Sequence, residues 1–158
     1  MNPVPVPTIP ALAILGPTAS GKSALALWLA DLGFPIEIIS LDSALVFRDM
    51  DIGTAKLAKA ERRGIPHHLF DIITPAQEMT AVEYQRIARD KCLEIIAAGK
   101  IPMFVGGSMF YLAAAIDNLD FAPTDALIRS ELEQLGQEIG ALAMHAKLRE
   151  LDPITAEK

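Results

Sequence analysis

Cysteine is almost absent. Cys92 is the single thiol of the chain, and no other His or Cys lies near it in sequence. An internal disulfide is excluded, and a reducing, cytoplasmic setting is favoured. Long apolar runs are missing as well. No stretch approaches 18 residues without a charge or a breaker, so no membrane span is expected. Aromatic residues are few, at 6% of the 158 residues. There is no excess of positive charge either. A net charge of −6 argues against a general nucleic-acid binder, which would be basic. The first ten residues lack the basic region of a signal peptide and carry Pro3, Pro5, Pro7 and Pro10. They are expected to form a short extended tail. What remains is a half-hydrophobic chain long enough for one ordinary domain and its core.

The charge is unevenly spread. Arg48 to Arg63 holds five basic residues against three acids, whereas Asp117 to Lys158 holds nine acids against four bases. The small basic excess is by itself the mark of a solvated surface.

The most informative stretch is Gly16-Pro17-Thr18-Ala19-Ser20-Gly21-Lys22-Ser23. It follows an apolar run, Ala11 to Leu15, and leads into Ala24 to Ala30, a segment of helical character. G-x-x-x-x-G-K-[ST] between a strand and a helix is the phosphate-binding loop. Its glycines let backbone N–H groups turn inward around an anion, and the helix adds the partial positive charge of its N-terminus. Lys22 supplies a point charge for a terminal phosphate, and the Ser23 hydroxyl can hold Mg²⁺. Thr18 is placed either to reach a bridging phosphate oxygen or only to brace the loop.

Two further strands follow the same pattern. Phe34 to Asp42 is a β-branched run entered through Pro35, and Ile101 to Val105 is a second buried strand that leads into Gly106-Gly107-Ser108. His67 to Ile73 resembles a short strand or extended edge. Thr80-x-x-Glu83 opens a helix that Gly99 ends, and Met109 to Ile116 forms another. Strands alternating with helices predict a parallel, doubly wound sheet, a P-loop NTPase-like α/β fold of three layers over residues 11–116. Ligands of such sheets bind beyond the carboxyl ends of the strands. The phosphate loop, Asp42 and Gly106 to Ser108 all fall at that edge.

From residue 117 the character changes. Pro123-Thr124-Asp125 starts a helix to about Gln137, Ala141 to Glu150 forms a second, and Asp152-Pro153 begins a third. Residues 117–158 are expected to be helical.

Asp42 has three readings: a general base, an indirect Mg²⁺ ligand, or a turn or cap aspartate. Ser43 can assist it by hydrogen bonding. Gly106 and Gly107 permit close backbone approach to a ligand or simply make a strand-to-helix turn. His67 and His68 are adjacent and point to opposite sides of an extended chain, so they do not chelate one metal. Arg129 is either a contact for an anionic partner or a surface arginine. Trp28, Phe104 and Phe110 are taken as core.

Several segments together resemble the tRNA dimethylallyltransferases, also called tRNA isopentenyltransferases. They are Gly16 to Ser23, Ser40-Leu-Asp-Ser-Ala-Leu45, Met50-Asp-Ile-Gly-Thr-Ala-Lys56, Pro66 to Leu69, Asp71, and Val105 to Ser108 with Tyr111. The resemblance implies transfer of a dimethylallyl group from dimethylallyl diphosphate to N6 of adenine 37, beside the anticodon of tRNAs reading codons that begin with U. It implies that Gly16 to Ser23 grips the diphosphate with Mg²⁺ on Ser23, and that Thr18 contacts its bridging oxygen. Asp42 would accept the N6 proton. Asp42, Ser43, Ala44, Leu45 and Ser108 would touch the extruded adenosine and its neighbours, and Arg129 would contact the tRNA. By the same resemblance residues 117–158 would be the start of a helical insertion that grips the anticodon stem-loop, and a cytoplasmic monomer is expected. Phe47 and Ser108 depart from the tyrosine and threonine common at those positions. The family pattern also continues past Lys158, so the chain is expected to be the front portion of a longer one. The competing expectations are a small-molecule P-loop kinase, an adenylate isopentenyltransferase acting on free nucleotide, and a truncated non-catalytic module that binds diphosphate or RNA.

Overall fold

A computed structural model describes residues 10–117, 119, 121 and 125–157. The expected N-terminal tail lies outside these except for Pro10, as do Pro123 and Thr124. Two compact units are present, one running to Leu119 and one beyond it.

The first unit is built on four strands: β1 (Leu12–Leu15), β2 (Ile36–Leu41), β3 (His67–His68) and β4 (Ile101–Gly106). All pair in parallel, in the order β1-β4-β2-β3. Leu15 and Leu41 both lie opposite Gly106, so β1, β2 and β4 end in register at one edge. That alignment brings the three following loops side by side.

Alternation along the strands sorts the core into two faces. Ile36 and Ile38 of β2 and Met103 and Val105 of β4 pack with Ala26 of helix α1 (Lys22–Asp31). Ile39, Leu41 and Phe104 point the other way, toward α2 (Ala81–Ala97) and α3 (Met109–Ile116). The result is the expected three-layer α/β arrangement. Thr80 caps α2 by accepting from the Glu83 N–H. Gly99, at φ 71°, closes it with two bonds, Gly99 N–H to Ile96 O and Lys100 N–H to Ile95 O. That is a Schellman end, which needs the left-handed residue glycine supplies. Cys92 is buried on the inner face of α2, and burial pushes its thiol up to about 11.

The core assignments need one correction. Phe104 is buried, but Trp28 and Phe110 are 54% and 59% exposed. α1 is apolar nearly all round, yet only Ala26 and Leu27 are buried in it. With no polar stripe to mark the outer face, composition cannot say which side packs.

Between β2 and α2, β3 apart, the chain runs in long loops tied by ion pairs to one covered lysine. The Lys56 ammonium, 2% exposed, donates to Phe47 O and pairs with Asp71 (2.7 Å) and Asp51 (2.9 Å). Burial alone would lower its pKa, but the two carboxylates outweigh that and hold it above the ordinary lysine value. The same stretch includes a short 3-10 turn, Lys59–Arg62.

The second unit consists of α4 (Ala126–Leu151), interrupted at Gly140 (φ 79°, ψ 166°), and the single turn α5 (Pro153–Ala156). Asp125 caps α4, and Asp152 caps α5 by accepting from the Thr155 N–H. Among the described residues, no helix is long and apolar enough to cross a membrane.

Candidate functional site

The loops after β1, β2 and β4 enclose a cleft of about 430 Å³. From the first loop and α1 come Pro17, Thr18, Ala19, Lys22 and Ser23. From the end of β2 come Leu41, Asp42, Ser43 and Leu45, and from the end of β4 come Val105 to Ser108. Thr54 and Ala55 complete the wall.

The phosphate loop has the geometry its sequence requires. Gly21 adopts φ 85° as the N-cap of α1 and offers no side-chain cap. The first-turn N–H groups of a helix have no partner within the helix, an arrangement able to receive an anion. The Lys22 ammonium arches back to donate to Pro17 O at 2.6 Å, beside the cleft. Ser23 follows one residue later on the same wall.

At the opposite wall, Asp42 occupies the first position past β2. Its Oδ1 accepts from Ala44 N–H at 2.8 Å, and its own N–H donates to Ser40 Oγ at 3.2 Å. The aspartate therefore makes a turn and also presents a carboxylate to the cleft. Ala44 supplies the N–H that holds Asp42 and is not itself on the lining. Ser108 lines the cleft and caps α3, its Oγ accepting from Tyr111 N–H and its own N–H donating to Leu41 O. Burial, and then the Asp42 charge, raises the Tyr111 phenol above its ordinary value.

The glycines after β4 serve the sheet first. A Cβ on Gly106 would sit 2.6 Å from Leu41 O, so this position must lack a side chain for β2 and β4 to converge. The close approach is between two strand ends.

Thr18, Lys22, Ser23, Asp42, Ser43, Leu45 and Ser108 are thus gathered around one space, with Gly16, Ser20 and Gly21 in the loop behind it. Arg129 belongs to the second unit, where it is exposed and paired with Glu133 at 2.9 Å. His67 and His68 face apart as expected. The first bonds Ile65 O through Nδ1, and the second bonds Glu37 through Nε2. Among the described residues, no group of three or more His, Cys, Asp or Glu is arranged to hold a metal. A Mg²⁺ ion at this cleft would rest on the Ser23 hydroxyl, with the remaining ligands from phosphate oxygens and water, the usual habit of that ion.

Sequence reasoning missed Thr54 and Ala55 as cleft residues. Their signal was Gly53 inside a polar, irregular stretch, since Gly53 (φ 81°) and Ala55 (φ 54°) turn the chain toward the cleft. It also missed Ser40 and Tyr84 behind Asp42. A lone hydroxyl in an otherwise apolar strand was the available cue.

Residues 45–158 match the protein family described as IPP transferase. The tRNA dimethylallyltransferase of Leptothrix cholodnii is 48% identical, over 99% of this chain and 50% of its own length. That of Thermobifida fusca is 50% identical, over 92% of this chain and 47% of its own. Among solved structures, the full-length tRNA isopentenylpyrophosphate transferase of Bacillus halodurans superposes with a TM-score of 0.68 at 40% identity, covering 94% of this chain and 50% of that one. A eukaryotic dimethylallyltransferase acting on tRNA gives a TM-score of 0.77 at 28% identity, over 92% and 36%. The chain spans about half the length of the curated relatives it matches.

Proposed function

This chain belongs to the IPP transferase family, and on that premise we propose that it transfers a dimethylallyl group from dimethylallyl diphosphate to N6 of adenine 37 in tRNA, releasing diphosphate. The observation that carries the reading is the cleft itself: a phosphate loop with Lys22 and Ser23 on one wall faces a carboxylate, Asp42, on the other.

The chemistry requires those two walls. As the C–O bond to the diphosphate breaks, negative charge grows on the leaving oxygens. Loop N–H groups, the Lys22 ammonium and the Thr18 hydroxyl would meet that charge and so stabilise the transition state more than the ground state. Mg²⁺ held by Ser23 would add Lewis-acid neutralisation of the same charge. The exocyclic amine of a stacked adenine is out of reach, so the base must be extruded into the cleft. Ser43, Ala44, Leu45 and Ser108 border or support the wall it would meet. Asp42 then takes the N6 proton as the new C–N bond forms. α4, with Arg129, would engage the anticodon stem-loop. The protein would act as a cytoplasmic monomer.

Calorimetry with Mg²⁺, comparing dimethylallyl diphosphate with ATP, tests this reading. The prenyl diphosphate should bind more tightly, and Lys22→Ala should weaken it by about tenfold or more, the usual scale for a lost charge-assisted contact. Tighter ATP binding would reject the transferase in favour of a kinase or a nucleotide prenyltransferase.

A further inference from the structure

The Asp42 carboxylate stands at the end of a chain of bonds that begins in the core. Tyr84, wholly buried on α2, donates its hydroxyl to Ser40 O at 2.8 Å. Ser40, only 2% exposed, accepts the Asp42 N–H on its Oγ. Asp42 in turn accepts the Ala44 N–H. A second arm closes on the same strand end. The Tyr84 ring stacks on Tyr111 with centroids 4.1 Å apart and planes 10° from parallel. Tyr111 N–H bonds the Ser108 hydroxyl, and Ser108 N–H bonds Leu41 O. Ser40, Leu41 and Asp42 are each tied in turn.

Neither hydroxyl is needed for packing. Phenylalanine would bury the same ring at position 84 without the cost of desolvating a phenol. Ile36, Ile38, Ile39 and Leu41 show what this strand otherwise uses, and a branched apolar residue would suit position 40 equally. What the hydroxyls add is direction, because each bonds a backbone group that sets where Asp42 points. We propose that Tyr84 and Ser40 are positioning residues, which act through the carboxyl end of β2 to hold the Asp42 carboxylate in its orientation at the cleft. The inference rests on Asp42 serving as the base of the proposed transfer.

Misplacement of a catalytic group by about 1 Å can cost on the order of a hundredfold in rate, so these bonds matter to turnover more than to donor binding. The two hydroxyls bond Ser40 O and Asp42 N–H rather than any group of the phosphate loop.

Three variants of the full chain separate positioning from packing. Tyr84→Phe keeps the stack and deletes only the hydroxyl. Ser40→Val and Ser40→Thr have nearly the same shape, and only the second keeps an acceptor for Asp42 N–H. A cavity of about 30 Å³ borders Ser40 and gives the added methyl room. NMR should show Ala44 amide exchange accelerated about tenfold, the equivalent of one hydrogen bond. It should also show the Asp42 backbone and carboxyl resonances displaced in Tyr84→Phe and Ser40→Val, with Ser40→Thr close to wild type. In prenyl transfer to an anticodon stem-loop, kcat should fall about tenfold in the same two variants while KM for dimethylallyl diphosphate stays within about twofold. Unchanged Ala44 exchange and unchanged Asp42 resonances in Ser40→Val would overturn the proposal, whatever happens to thermal stability. If Tyr84→Phe fails to fold, the Ser40 pair decides alone. Absence of transfer by the wild-type chain would count against the transferase reading, and the NMR coupling would still decide whether Tyr84 and Ser40 hold Asp42.

Discussion

The two units of this chain achieve order in different ways. The first buries a sheet between helices, and its strand ends are tied by side chains from distant parts of the sequence. The second has no buried residue in either of its helices. Leu127, Leu142, Leu151 and Ile154 are between 73% and 90% exposed there. Its helices rest on local devices: the Asp125 and Asp152 caps and i,i+4 pairs such as Arg129–Glu133. Local devices each contribute a few tenths to about 1 kcal/mol, whereas a packed core contributes many times that. The first unit can therefore hold a reacting group to within a fraction of an ångström. The second is suited to presenting a surface.

The sharpest way to break this contrast is at the strand convergence. Gly106→Val would drive a side chain into the Leu41 backbone, which cannot yield as a flexible side chain would. A loss above about 4 kcal/mol is expected in urea denaturation. Gly140→Ala in α4 should leave the first unit's transition where it is.

A gentler comparison pairs two leucine-sized truncations. Ile39→Ala, at a fully buried position, should cost about 2–5 kcal/mol. Leu142→Ala, 90% exposed, should change the same midpoint by no more than about 0.5 kcal/mol. Equal effects would mean that Leu142 is packed after all.

Acid provides a third test. Burial lowers the His67 pKa below 6.5, with Arg62 and His68 adding to the depression and the Ile65 carbonyl opposing it. The unfolded chain therefore binds the proton more readily. The first unit keeps its full stability above pH 6.5 and loses part of it as the pH falls from there toward the lowered value. His67→Gln should flatten that slope of the urea midpoint against pH.

The smallest effect lies in α5. Bonds from Thr155 depress the Asp152 carboxyl, so its support for the turn is present above pH 3.8 and is lost as the pH drops through the lowered value. Thr155 amide exchange should quicken there while the first unit's core amides are unaffected by this group.

The same divide separates what was legible in the sequence from what was not. The phosphate loop, the Thr80 cap, the Gly99 stop and the Asp152-Pro153 start are local patterns, each complete within a few residues. The alternation of β2 and β4 with helices was enough for a parallel sheet and for the edge where Asp42 and Ser108 meet Lys22. The bond from Tyr84 to Ser40 spans 44 residues, and the Lys56–Asp71 pair spans 15. Such contacts leave no periodic trace, because they depend on how the finished layers stack. Trp28 and Phe110 were misplaced for a related reason: an apolar helix does not reveal how many of its sides the fold will cover.

The solitary thiol has a practical consequence. Cys92 sits on the covered face of α2, 2% exposed, and is protonated well above neutral pH. An alkylating reagent must wait until the helix lifts from the sheet, so the rate of modification counts openings of the first unit. The molecule thus carries its own clock for structural opening, readable by mass spectrometry with no engineered probe site, on the unit that holds Lys22 and Asp42.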